Sequence, residues 1–255
     1  MNIRASYRYQ MVDHKKSIIA FYITILLVFI FLLTTMGISI HNNDGTTTAS
    51  FSGINLFTAI FLFVAALSSY RETLGMMIQN GVSRRTMFFG RILTTVSLAL
   101  IMATIDILLS LIFEVLASII SDNLTYISIY KSLYSVRAME VSTFQIYVES
   151  FMFSFFMYLA YMAVGYLITT IFYRLNKTGR VLLASGLPVS VFVLIPILDS
   201  VVADGRIGKL FIEFLDIALG LTKQIPYYSM ISSTLALILL SALSWLFIRK
   251  ANVRE

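Results

Sequence analysis

The sequence predicts an all-α membrane protein of six transmembrane helices, with cytosolic N- and C-termini. Three observations predict it. Hydrophobic residues make up 58% of the 255 residues and charged residues only 13%, about half the charged share of a soluble domain. Six apolar runs reach the roughly 17–25 residues of a membrane-spanning helix. Lys and Arg are dense in alternate connections between those runs, the pattern of the positive-inside rule.

Residues 1–16 read as a short interfacial helix. Ile3, Tyr7, Met11 and His14 fall along one side, while Arg4, Arg8 and Lys15 form a basic side toward lipid phosphates. The first span is 17–40; it is longer than the apolar part of a cleavable signal and lacks a small-residue cleavage site. The second is 54–70. The third, 87–120, exceeds the bilayer and must tilt or protrude. The fourth, fifth and sixth are 148–173, 181–202 and 229–248, and residues 1–255 form a single transmembrane domain without internal repeats.

Two polar connections carry helical signals of their own. In Tyr70–Gly90, Leu74, Met77 and Ile78 give a short apolar stripe, Asn80-Gly81 a stop and Ser83 a cap for the next helix. Those signals fit a short helix lying flat under the membrane or an ordinary structured loop. In Asp204–Tyr227, Ile207, Leu210, Phe211, Phe214, Leu215, Ala218 and Leu219 recur at helical spacing opposite Lys209, Glu213, Asp216 and Lys223. A re-entrant or interfacial amphipathic helix in the outer leaflet is expected there, broken by Pro226.

Orientation follows from the cations. The N-terminal segment, the second-to-third and fourth-to-fifth connections and the C-terminal tail hold 14 of the 19 Lys and Arg residues. The other side holds Lys131, Arg137, Arg206, Lys209 and Lys223. The net charge of +6 therefore encodes topology rather than a nucleic-acid groove. With no cysteine and two histidines, His14 and His41, on opposite sides, disulfides, thiolate sites and a histidine metal site are excluded. No phosphate loop, nucleophile elbow or H-E-x-x-H pair occurs, so no catalytic apparatus and no cofactor is expected in this chain.

Polar residues at membrane depth are the remaining candidates. Asp106, Ser110 and Glu114 share one face of the third span. A carboxylate in hydrocarbon must face protein or water, so these residues read either as a substrate or proton path or as partners of Ser, Thr or Tyr on a neighbouring helix. Gly186, Pro188 and Pro196 interrupt the fifth span as a hinge or a packing kink. Gly165 and Thr169 form a small-xxx-small pair in the fourth.

The layout and one local pattern resemble the membrane subunit of ABC-2-type ABC transporters. The pattern is Arg71-Glu72, Gly75, Gly81-x-Ser83-Arg84 and Gly90-Arg91, similar to the family's acidic residue, small residue, x-x-Ser-Arg and Gly-Lys/Arg opening span three. Position 81 is glycine where many relatives have proline. The resemblance implies a bacterial cell-membrane permease exporting an amphipathic or hydrophobic peptide, toxin, drug or lipid-like substrate. Its partners would be two copies of an ABC ATPase, which bind the ATP and Mg, and a second permease, identical or homologous. Tyr70–Arg85 would be the coupling helix, with Arg71, Glu72, Met76, Asn80, Ser83, Arg84 and Arg85 at the ATPase contact. The alternatives are a non-transporting immunity, assembly or sensor protein on the same scaffold, and a proton-coupled carrier using Asp106 and Glu114.

Overall fold

A computed structural model gives the fold. It describes residues 3–42, 48–201 and 204–249, except for the side chains at 69–72, 74, 75, 78, 177 and 187. The helices are α1 (Ile3–Asn42), α2 (Ile54–Gln79), α3 (Arg84–Ile120), α4 (Ile129–Leu133), α5 (Ser135–Glu140), α6 (Thr143–Arg174), α7 (Lys177–Val189), α8 (Ile195–Val201), α9 (Arg206–Leu219) and α10 (Pro226–Arg249). Two three-residue strands, β1 (Ala49–Phe51) and β2 (Leu124–Tyr126), pair in parallel with Ala49 opposite Leu124. Among the described residues, five helical stretches are long and apolar enough to cross a membrane: α1, α3, α6, Thr178–Val201 and α10. The chain is an all-α multi-pass membrane protein. The described side chains of α2 add a further apolar stretch, Ile54–Ser68.

The helix ends explain several boundaries. Ser83 and Ser142 sit in extended conformation and accept from the backbone N–H groups of Thr86 and Gln145, capping α3 and α6. Gly81, at φ +70°, ends α2, and the Val82 N–H reaches back to the Met77 carbonyl at 2.9 Å. Gly220, at φ +66°, ends α9 in the same left-handed way. Pro226 therefore does not break the amphipathic helix as the sequence suggests; it opens α10, where its missing N–H costs no helical bond.

Two further expectations change. The N-terminal interfacial helix and the first span are one uninterrupted helix of 40 residues, because no Gly, Pro or capping signal interrupts residues 3–36. Likewise α2 runs straight on to Gln79, so the segment after Tyr70 is its continuation and not a separate flat helix. A lone Gly75 is too weak a breaker to divide it. The connection between α3 and α6, for which the sequence pattern declares no element, holds β2, α4 and α5.

Around Pro188 and Pro196 the fifth apolar stretch departs from α-geometry in a π-helical turn, Ser190–Leu194. Two missing backbone donors loosen the local ladder and permit it. No residue between Lys177 and Val201 with a described side chain is buried.

The core lies among α1, α2, α3 and α6. Phe29 stacks on Phe113 at 4.7 Å between ring centroids, and Phe51 and Tyr126 close over them at one end. Lipid is as apolar as a leucine side chain, so burial alone gives little drive; close approach and hydrogen bonding do more. Gly165 supplies that approach. A Cβ there would meet the Phe63 carbonyl at 2.6 Å, and four residues on Thr169 Oγ1 donates to the Leu67 carbonyl at 2.7 Å. The small-xxx-small pair is thus the seam between α2 and α6.

The four basic segments meet at one end of the bundle. Gln10 of α1 reaches the Met87 carbonyl, Arg84 Nη1 donates to the Arg249 carbonyl at 2.9 Å, and Arg174 lies over the Phe247 ring. The strands, α4 and α5 occupy the other end, where Tyr134 donates to the Leu219 carbonyl of α9.

Candidate functional site

An apolar groove and two polar centres succeed one another along α3, starting from its basic end. At the basic end, α1, α2 and the α2–α3 turn enclose an apolar groove of about 450 Å³, within the roughly 300–1,000 Å³ of small-molecule sites. Tyr9, Met76, Met77 and Val82 provide its apolar wall, and Asn80, Ser83 and Thr86 its rim. Tyr9 donates its hydroxyl to Met76 Sδ, and Asn80 Nδ2 donates to the Met76 carbonyl at 2.7 Å. Of the coupling candidates, Met76, Asn80 and Ser83 line this groove, and Arg85 is exposed beside it in sequence. Arg84 is instead engaged with the end of α10. Arg71 and Glu72 belong to the α2 helix, and their side chains lie outside the described residues. The φ of +70° at Gly81 is closed to proline, whose ring holds φ near −65°. The glycine is therefore matched to this turn, and a proline at position 81 would not fit it.

Farther along α3 the structure buries a charge. Arg91 is 4% exposed. Its Nη1 donates to His14 Nε2 at 3.3 Å, and its guanidinium carbon stands 5.4 Å from the centre of the Tyr166 ring. Arginine only donates, so His14 accepts at Nε2 and carries its proton on Nδ1. The periodicity of Ser6, Gln10 and His14, each one turn after the last and all buried against α3, is the signal that could have exposed this junction.

The second polar centre is Asp106, completely buried in the middle of the bundle. Tyr22 of α1 donates to one carboxylate oxygen at 2.8 Å and Tyr158 of α6 to the other. Asn55 of α2 donates to Tyr158 at 3.4 Å and to Ser154 at 2.9 Å, so all four core helices join one network. Ser110 donates to the Asp106 backbone carbonyl and meets the Tyr126 hydroxyl. Glu114 does not share this centre: it pairs with Lys131 and accepts from Tyr147 at 2.6 Å, near the strand end. The three candidates of the third span therefore serve two sites. Of the hinge candidates, Gly186 has open space around it, and Pro188 and Pro196 flank the π-helical turn.

A second ion pair closes the strand end. Arg137 grips both Glu149 oxygens, at 2.8 and 2.6 Å, and Glu149 also accepts from Tyr130, Gln145 and Tyr227. That bidentate contact raises the Arg137 guanidinium above its ordinary range. Burial pushes the Tyr134 hydroxyl up to about 12, so it remains a donor at neutral pH. Sequence reasoning missed Glu149, whose partner lies 12 residues away across the α5–α6 connection.

Comparison with family models, characterised proteins and solved structures finds no match to this chain.

Proposed function

We propose that this chain is the permease subunit of an ABC-2-type exporter, crossing a bacterial cell membrane six times with both termini in the cytosol. Two copies of a separate ATPase bind ATP and Mg and drive the cycle. A second permease, identical or homologous, completes the path, and the cargo is an amphipathic or hydrophobic molecule.

The observation that carries this reading is the form of the α2–α3 connection. The apolar run of α2 ends at Tyr70, yet the helix continues to Gln79. At about 1.5 Å per residue this extension is roughly 14 Å of helix beyond the apolar run. A tight capped turn, rather than a slack loop, joins it to α3. A load applied at that turn acts directly on α3, which runs unbroken from Arg84 past Asp106 to Ile120. An arm of this kind suits a subunit pushed from the cytosol. The proton-carrier alternative is less favoured, because tyrosine hydroxyls occupy both oxygens of Asp106.

The test is purification of the tagged full-length chain from its native cell in mild detergent, with partners identified by mass spectrometry. Stoichiometric recovery of an ATP-binding-cassette protein is expected. Its loss is expected from Arg85→Glu, a substitution at an exposed position that leaves insertion intact. Recovery of the chain alone at good yield removes the transporter reading.

A further inference from the structure

The Arg91 guanidinium has no carboxylate in ion-pair contact among the described residues; the exposed Asp13 acts on it only from beyond contact distance. Nε and Nη2 of Arg91 are both buried and have no hydrogen-bond partner among the described residues. These two nitrogens form one edge of the guanidinium, with two parallel N–H groups spaced for a carboxylate or a phosphate. The third nitrogen, Nη1, is occupied by neutral His14, and the ring of Tyr166 offers a quadrupole but no formal charge. The ion pairs formed among the described residues, Lys131–Glu114 and Arg137–Glu149, both lie toward the strand end. A guanidinium taken out of water without a paired anion is costly. A water molecule could satisfy a donor but would not neutralise the charge.

Tyr7 and Tyr9 tie the covering segment to Ser97 and Met76, but at the junction itself Gln10 is weakly held. Gln10 bonds Ser6 at 3.3 Å and the Met87 carbonyl at 3.4 Å, near the long limit of a hydrogen bond, and its own Oε1 is buried and unpaired. Ser6 lines the apolar groove, Gln10 follows one turn later and His14 one turn after that. Groove and fork thus lie in one row along the same face of α1. Asp13, the acid adjacent to His14, is exposed and forms no ion pair with Arg91.

We propose that the free edge of Arg91 is a binding site for an oxoanion. The occupant is the phosphate or carboxylate head of an anionic amphiphile, whose apolar tail lies in the groove between α1 and the α2–α3 turn. It enters when the first turns of α1 lift from α3. The site does not depend on the transporter reading, since a lipid or cargo molecule would use the same fork.

The test measures thermal unfolding of the purified full-length chain in a neutral detergent. Titrants are phosphatidylglycerol, a long-chain fatty acid, inorganic phosphate, and phosphatidylcholine as the neutral lipid. The anionic amphiphiles are expected to give a saturable rise in Tm by preferential binding to the folded state. Phosphatidylcholine should give a much smaller one. A comparable rise with inorganic phosphate assigns the headgroup alone and removes the tail from the groove.

Arg91→Gln should abolish the anion-dependent rise. Arg91→Lys, which keeps the charge but not the fork, guards against a folding defect in the first variant and should lose most of it. An unchanged rise in either variant overturns the proposal. So does a loss of Tm in Asp13→Asn or Glu72→Gln matching that of Arg91→Gln, because a carboxylate of the chain itself would then be the counter-charge.

Discussion

At the scale of single residues, Asp106 has the most consequential environment. Replacing it by alanine deprives the buried Tyr158 hydroxyl of its acceptor and leaves Tyr22 only its bond to the Met102 carbonyl at 3.2 Å. An orphaned buried hydroxyl costs about 1–3 kcal/mol, so Asp106→Ala should destabilise the chain by roughly that amount or somewhat more in reversible unfolding in detergent. Asp106→Asn keeps one acceptor oxygen and should cost less than half as much. Equal losses would mean that the carboxylate charge, not hydrogen bonding, holds the helices together. The glycines give a second contrast. Gly165→Ala drives a methyl into the α2 backbone and should cost about 1–3 kcal/mol. Gly186→Ala meets nothing within 4 Å and should be neutral or gain about 1 kcal/mol of helix propensity. Lost transport in Gly186→Ala without lost stability would establish the hinge. The sequence made Asp106 visible, as a carboxylate in an apolar run, but not its partners. Tyr22 and Tyr158 stand 84 and 52 residues away, and no local pattern encodes which tyrosine of an aromatic-rich chain reaches it.

At the scale of elements, the legible parts were those written in local chemistry. Ser83, Asn80-Gly81 and the amphipathic period of Arg206–Leu219 each declared a cap, a stop or a helix, and each is found. Breaks were harder to read than starts. Polarity after Tyr70 and basic residues before Ser17 suggested separate elements, but polarity does not interrupt a helix; only lost hydrogen bonds or steric clashes do. The parallel pair β1–β2 was invisible because two three-residue strands 75 residues apart carry no periodic signal. The α2–α3 turn yields the sharpest prediction at this scale. Ser83→Ala removes the bond to the Thr86 N–H and should cost about 1 kcal/mol. Gly81→Ala should cost about 1–2 kcal/mol because a Cβ is strained at φ +70°. Gly81→Pro should be far worse than either, since its ring cannot reach that φ. Unfolding midpoints of the three variants check the order, and a stable Gly81→Pro would show that the turn also adopts a geometry with negative φ at position 81.

For the whole molecule, the question is whether α2 crosses the membrane, because that decides whether the termini share a side. Its apolar run, 54–70, is about 26 Å long at 1.5 Å per residue, a few ångströms short of roughly 30 Å of hydrocarbon. Packing argues that it crosses nevertheless. Asn55 meets Ser154 near the strand end of α6, and Leu67 meets Thr169 near its basic end, so α2 accompanies α6 across the same thickness. The polar residues that follow face the basic end, where bilayer thinning and long side chains can absorb a mismatch of a few ångströms. The absence of native cysteine allows a direct measurement. Ser52→Cys and Gln79→Cys flank α2 at exposed positions, and Met139→Cys and Thr178→Cys, also exposed, flank α6. An impermeant maleimide should label positions 52 and 139 in intact cells, and 79 and 178 only after lysis. If 52 and 79 instead label together while 139 and 178 differ, α2 is a non-crossing helix and the chain has five spans. The termini would then lie on opposite sides, and Arg4, Arg8, Lys15 and Lys16 could not share a compartment with Arg249, although the contacts of Gln10 with α3 and of Arg84 with α10 bring those ends together. Packing and charge therefore favour six crossings, and the pair at 52 and 79 is where that conclusion is most exposed to refutation.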